Sequence, residues 1–313
     1  MFTLIAEAGE FLRGKIRRTP VEYSVVLADL LGVPVWLKLE SLQATGSFKI
    51  RGALFAISRL TGDVITCSAG NHGKAVAYVK RGATICVPRS VDRSKFEAMV
   101  RMGADVRVSE FDGYDETQDW ALEMAAREKK YFLSPFDDDR VMAANGGTVA
   151  QEVLEDAPEA REFVLPVGGG GLSAGFAVWA KHFLKDAKII GCQHVLSPAL
   201  QMSLDAGHAI TRLPAVETMA GGVEGGIGAR TFGVLQPLVD QVALVSEAEI
   251  LDGVRWMIEH HQYLIEPTAA VTIAACLSGR IQATRPVVVV VSGRNVSVET
   301  VRKIVASSAR GKL

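Results

Sequence analysis

Short apolar runs rich in β-branched residues recur along this chain with helix-length spacers between them, and no other feature restricts its fold as much. The runs are VPVWLKLE (33 to 40), DVITC (63 to 67), ATICV (83 to 87), ADVRV (104 to 108), EFVLPV (162 to 167), AKIIGC (187 to 192), VALV (242 to 245) and PVVVVV (286 to 291). Parallel neighbours need a crossover of a dozen or more residues, so runs spaced this way predict βα units on a mostly parallel sheet. PVVVVV, polar on neither face, is expected at the centre. Between the runs, Leu172, Phe176, Trp179 and Phe183 recur at helical spacing and predict a core-packed face over 172 to 185. Ser246 with Glu249 forms a capping-box pattern opening SEAEILDGVRWMIEH. No repeat, low-complexity tract or long linker marks a boundary. Strand grouping, with helices expected over 73 to 81, 92 to 102 and 115 to 129, suggests a small α/β unit, 61–136, inserted into a larger body made of 1–60 and 137–313.

The bulk of the chain excludes several classes of partner. Its 313 residues, 49% of them hydrophobic, suffice for two domains with large cores. A formal net charge of -1 favours neither nucleic acid nor an anionic membrane. Acidic residues interrupt MFTLIAEAGEFLRGK where a signal peptide needs an apolar stretch, and no run approaches the roughly 18 residues of a bilayer span, so a soluble cytoplasmic protein is expected. Cys67, Cys86, Cys192 and Cys276 are far apart, and neither CxxC nor HExxH occurs. Buried reduced thiols and no metal site are the expectation.

Three glycine-rich turns carry the chemistry. Gly168, Gly169, Gly170 and Gly171 follow the run EFVLPV and precede a helix near Leu172, aiming unpaired N–H groups and a positive dipole end at one point, where a phosphate fits. Gly169, Gly171 and Ala174 also satisfy a loose GxGxxA dinucleotide pattern, but the next run ends at Gln193 rather than at the acid a ribose needs. The second turn, Ser68-Ala69-Gly70-Asn71-His72-Gly73, lacks the glycine and hydroxyl of a P-loop. It offers a nest of backbone donors for a smaller anion such as a carboxylate, with the Asn71 amide beside it. His72 reads as a base or as a structural histidine. The third turn, Ser292-Gly293-Arg294-Asn295, ends the most apolar run and places a hydroxyl where α/β sheets bind ligands.

One more segment, SLQATGSFKIRGA (41 to 53), sets Lys49 among mostly uncharged neighbours. Desolvation and nearby cations disfavour an ammonium, and a free amine can form an imine with a carbonyl compound. Taken alone, Lys49 reads first as a solvated surface charge, as most lysines are.

In order and separation, RTP (18 to 20), KLESLQATGSFKIRGA, SAGNHGKAVAY, PFDD (135 to 138), PVGGGGLSAG, IEPTAA (265 to 270) and SGRN resemble the tryptophan-synthase-like pyridoxal phosphate enzymes of fold type II. Within that group they are similar to the threonine/serine dehydratases and serine racemases. The resemblance implies an α/β chain of two domains, each a mostly parallel twisted sheet flanked by helices, and a homodimer. It implies pyridoxal 5′-phosphate carried covalently on Lys49 beside Phe48, its phosphate on Gly168 to Gly171 with Leu172, its ring 3′-oxygen at Asn71 and its pyridine nitrogen at Ser292. The substrate carboxylate is then expected on the N–H groups of Ser68, Ala69, Gly70, Asn71 and His72, with Lys49 removing the α-proton. A serine at the ring nitrogen makes a weaker electron sink than an aspartate, which favours loss of a β-hydroxyl. On this resemblance the leaving hydroxyl takes its proton from the cofactor phosphate, no other donor being evident.

An ammonia-lyase acting on L-threonine, L-serine or a related β-hydroxy amino acid is therefore expected. The alternatives are a serine- or aspartate-type racemase, a β-replacement enzyme, a dehydratase for an unusual substrate such as 3-hydroxyaspartate, and a non-catalytic cofactor-binding protein. Ala69 stands where serine racemases carry a second acid/base serine, and Phe136 where they carry asparagine; both match the dehydratases. Gln193 and Ala199 stand where many relatives hold a cation with carboxylates, which leaves metal dependence without its ligands. Ala220-Gly221-Gly222-Val223 departs from the usual ADGV, and Arg294 stands where glycine is commoner. Because the sequence stops at Leu313, soon after Ser292, no regulatory domain and no feedback inhibition are expected.

Overall fold

A computed structural model describes residues 1–307. Ten strands form two sheets: β1 (Val21–Tyr23), β2 (Val35–Leu39), β3 (Val64–Cys67), β4 (Thr84–Val87), β5 (Asp105–Val108), β6 (Tyr131–Phe132), β7 (Glu162–Pro166), β8 (Lys188–His194), β9 (Gln241–Val245) and β10 (Val287–Val291). The larger sheet has the order β1-β2-β10-β7-β8-β9 and the smaller β5-β4-β3-β6. Every pairing is parallel except β1 with β2. Val287 to Val291 lie beside Val35 to Leu39 in register, and β7 takes the other edge, so β10 is paired on both sides and buried throughout. Its lack of any polar face is the direct cause.

All eight anticipated runs are strands. The two extra ones, β1 and β6, have three and two residues, too short to show a period, and exist because a neighbouring strand offers its edge. The small sheet, with the helices Asn71–Val79, Arg93–Arg101 and Tyr114–Glu128, lies within 61–136. One expectation needs correction: Leu172 and Phe176 are buried, yet Phe183 is 55% exposed at the end of the helix Gly171–Phe183. That helix outruns the core, and Phe183 packs its ring on Trp179 and Phe2 instead. All four cysteines are buried free thiols, and burial pushes Cys276 up to about 12, which leaves it unreactive. Among the described residues no helix is long and apolar enough to cross a membrane.

Below the lysine turn lies a buried ionic cluster. Arg51, wholly buried, donates to both carboxylate oxygens of Glu40 (2.7 and 2.9 Å), to both of Glu152 (2.8 Å each) and to Thr148 (3.1 Å). Lys38 donates to Glu152 (2.5 Å) and to the carbonyl of Thr19 (2.8 Å). The next residue, Gly52, donates its N–H to Asn145 Oδ1 (2.7 Å), whose side chain occupies the space a Cβ would need. Arg51 and Gly52 thus clamp the turn that follows β2, the helix Lys49–Ile57 and the segment 143–152 together, two and three residues from Lys49.

Candidate active site

Because the strands of each sheet run parallel, the turns leaving their carboxyl ends gather on one side, and turns from both sheets meet around Lys49. Lys49 opens the helix Lys49–Ile57. Its turn is stitched to the end of β10: Phe48 N–H donates to Ser292 O (3.3 Å), Arg294 N–H to Gly46 O (2.8 Å), and Ser47 bridges Gly293. Lys49 Nζ donates to the carbonyl of Pro135 (2.8 Å) and stands 5.2 Å from the centre of the Phe48 ring. Burial pushes this amine down to about 8, against the opposing charge of Glu266. Lys49 is therefore no solvated surface charge: a substantial fraction is neutral near pH 8.

Opposite stands the turn after β3. Ser68, Ala69 and Gly70 lead into the helix Asn71–Val79, which starts two residues earlier than its apolar period suggested. Asn71 Nδ2 donates to Glu266 Oε1 (2.6 Å), Asn295 Nδ2 donates to Asn71 Oδ1 (2.6 Å), and Lys74 Nζ donates to Asn295 Oδ1 (2.5 Å). This chain of polar groups joins the two sheets across the site.

Glu266 was not foreseen as a site residue. It directly precedes the helix Pro267–Leu277 without its side chain bonding the helix end, and its N–H donates to Gly293 O (3.1 Å). Burial raises its carboxyl to about 7, while Asn71 and the lysines 95, 74 and 49 pull the other way. An acid directly before a helix-opening proline was the available signal; its proximity to Lys49 was not.

His72 is 2% exposed, and neither ring nitrogen has a partner. Burial, aided by the charge of Lys49, pushes the imidazole down to about 3, so it is neutral in the folded protein. Its unfolded value, near 6.5, is higher. The unfolded chain consequently binds the extra proton first as the pH falls, and His72's contribution to stability, complete above about pH 6.5, shrinks by up to ~1.4 kcal/mol per pH unit down towards pH 3. His72→Leu is expected to flatten that slope. Urea midpoints of both proteins between about pH 7 and pH 5 check this, and parallel slopes would refute it.

The glycine turn follows β7. Gly170 adopts φ +89°, and from Gly171 the helix runs to Phe183. A Cβ on Gly168 would fall 2.0 Å from the carbonyl oxygen of Gly222, and one on Gly169 2.3 Å from the Phe136 ring. Thr231 Oγ1 pins the turn from outside by donating to Gly169 O (2.7 Å). What remains is bare backbone at the amino end of a thirteen-residue helix, whose first N–H groups have no helical acceptor. With a part-neutral amine nearby, these residues fit a phosphate-bearing aldehyde. Ser292 is buried directly after β10, and Leu172 is the second residue of the helix.

Two departures from the resembling families acquire structural roles. Gln193 Oε1 accepts from the N–H groups of Leu200 (2.9 Å) and Gln201 (3.2 Å) while Nε2 donates to Val167 O (3.3 Å), so this amide caps the helix Ala199–Ala206. Gly222 lies against the glycine turn and donates its N–H to Thr268 Oγ1 (3.0 Å).

Residues 12–293 match the family model "Pyridoxal-phosphate dependent enzyme". An L-threonine ammonia-lyase of Geobacter sulfurreducens is 37% identical over 97% of this chain and 78% of its own. Among solved structures, maize serine racemase aligns with a TM-score of 0.90 at 29% identity, over 97% of this chain and 96% of its own. The processed form of threonine deaminase isoform 2 from Solanum lycopersicum aligns with a TM-score of 0.89 at 30% identity, over 98% and 93%.

Proposed function

The chain belongs to the pyridoxal-phosphate dependent enzymes, and from that premise we propose that it is an ammonia-lyase of β-hydroxy amino acids such as L-threonine and L-serine. The observation that carries this reading is Lys49, an amine lowered to about 8 and fixed between the Pro135 carbonyl and the Phe48 ring. When bound, pyridoxal 5′-phosphate supplies an electron sink for the pair released as the α-C–H bond breaks. Lys49 would hold the cofactor, with Gly168 to Gly171 and Leu172 on its phosphate, Asn71 and Ser292 on its ring, and Phe48 alongside.

The N–H groups of Ala69, Asn71 and His72 would receive the α-carboxylate and orient the α-hydrogen towards Lys49, whereas the Ser68 N–H, counted among these donors from the sequence, is spent on Cys86 O (3.1 Å) and that of Gly70 on Ser68 Oγ (3.2 Å). Lys49 takes that proton as general base. The β-hydroxyl leaves with its electron pair and a proton, as water. Glu266, whose carboxyl titrates near 7 within electrostatic reach of Lys49, is a side chain able to hold a proton there at neutral pH, and it competes with the cofactor phosphate for the donor role. The enamine released tautomerises and hydrolyses to a 2-oxoacid and ammonia. Ala69 offers no group that could return a proton to the opposite face, which favours elimination over inversion. We further propose that the enzyme works as a homodimer in the cytoplasm.

Purified, cofactor-loaded protein is expected to release 2-oxobutanoate from L-threonine or pyruvate from L-serine faster than it forms either D-enantiomer. D-serine accumulating ahead of pyruvate would instead establish a racemase.

A further inference from the structure

The four residues Ser134 to Asp137 touch both ends of the site. Pro135 O accepts from Lys49 Nζ (2.8 Å), and the Phe136 ring backs the glycine turn, 2.3 Å from where a Cβ on Gly169 would stand. The backbone of Phe136 lies 3.0 Å from the corresponding point on Gly171. Ser134 Oγ holds the segment in its turn by accepting from the Asp137 N–H (2.9 Å).

Asp137 carries the contact further. Its Oδ1 accepts from the N–H groups of Arg230 (3.0 Å) and Thr231 (2.9 Å), in the first turn of the helix Ala229–Leu235. The residue before that helix, Gly228, has no side chain to cap it, and a Cβ there would fall 2.3 Å from Asp137 Oδ1. Asp137 thus supplies from a distant part of the chain the acceptor that a helix start requires. Thr231, wholly buried and fixed in this way, donates Oγ1 to Gly169 O (2.7 Å) and shares the proton with Gly228 O (2.9 Å). The Gly228 N–H adds a longer bond to the same Gly169 oxygen (3.3 Å).

Peptide planarity converts this outer bond into an inner one. The Gly169 carbonyl and the Gly170 N–H belong to one rigid trans peptide and point in opposite directions. With the oxygen drawn to Thr231, the Gly170 N–H faces away from that side chain, and among the described residues it has no acceptor. Glycine on both sides leaves this plane free to turn, so local backbone preference does not set its direction. The bond from Thr231 does.

We propose that Asp137 and Thr231 are positioning residues for the cofactor phosphate. Acting through the Gly169 carbonyl, they aim the Gly170 N–H at the phosphate, and the turn that bears Asp137 fixes the cradle relative to Lys49. This rests on the phosphate placement proposed above, and on nothing about turnover.

The test titrates apoprotein with pyridoxal 5′-phosphate and with pyridoxal, which offers Lys49 the same aldehyde without a phosphate, and reads both dissociation constants from the cofactor absorbance band. Thr231→Val, which deletes the hydroxyl and keeps the side-chain outline, is expected to weaken binding of the phosphorylated form about tenfold and that of pyridoxal less than about twofold. Asp137→Ala is expected to do the same. Asp137→Asn, whose amide oxygen still accepts from both N–H groups, should recover most of the loss. Equal losses for the two aldehydes in both variants overturn the proposal, because they mark a general disturbance of the fold. Unchanged affinity for pyridoxal 5′-phosphate in both overturns it as well. Wild-type protein that binds the two aldehydes alike removes the phosphate placement and this proposal with it, whereas the lyase reading is judged separately by oxoacid release.

Discussion

Lys49→Ala is expected to lower turnover of every β-hydroxy amino acid by about 10³ or more, because one amine serves both as the covalent anchor and as the base. The fold should survive: the Lys49 ammonium has the Pro135 carbonyl as its partner, and removing a partly desolvated amine leaves no buried carboxylate unpaired. Lys49→Arg should be equally inactive, since a guanidinium stays protonated and cannot form an imine. The same residue sets the pH dependence of cofactor capture. Its amine is neutral above about 8, so the rate at which the wild-type apoprotein takes up pyridoxal 5′-phosphate should rise through that pH and level off. Stopped-flow absorbance measures it, and borohydride reduction followed by peptide mapping identifies the residue. A Lys49→Ala protein that retains a few per cent of activity would remove the basis of the mechanism.

The second large effect is expected at Arg51, which touches no reacting atom. Arg51→Met removes the shared partner of Glu40 and Glu152, both held by its guanidinium. Glu40 has only the hydroxyl of Thr19 to replace it, and Glu152 keeps Lys38. Leaving one buried charge uncompensated costs about 3–5 kcal/mol, a large part of the ~5–15 kcal/mol that holds a typical domain folded. Urea unfolding at neutral pH should show that loss. Replacing Arg51, Glu40 and Glu152 together by apolar residues of similar volume should recover much of it, because desolvation of the ions disappears along with their attraction. A single Arg51→Met change costing less than about 1 kcal/mol would mean that the cluster is hydrated or loosely paired.

Arg51 illustrates how far the chain can be understood before it folds. It lies two residues from Lys49 in SLQATGSFKIRGA, but its partners lie 11 and 101 residues away, and no local pattern carries that pairing. Glu266 is a similar case. The acid is visible before Pro267, whereas its rise to about 7 comes from burial in the folded site, which outweighs the hydrogen bond it accepts from Asn71, 195 residues distant. Phe183 erred the other way: helical period placed it on an apolar face, and only the extent of the core decided that the face ends before it.

The alternation of β-branched runs with helical spacers by itself determined a parallel α/β chain, since period and spacer length are local quantities that backbone sterics convert directly into strands and crossovers. Glycine order likewise determined where an anion could approach the backbone. Which charges would be neutralised and which amine would shed its proton were decided by tertiary structure alone. Those outcomes depend on desolvation and on partners brought together from distant parts of the chain.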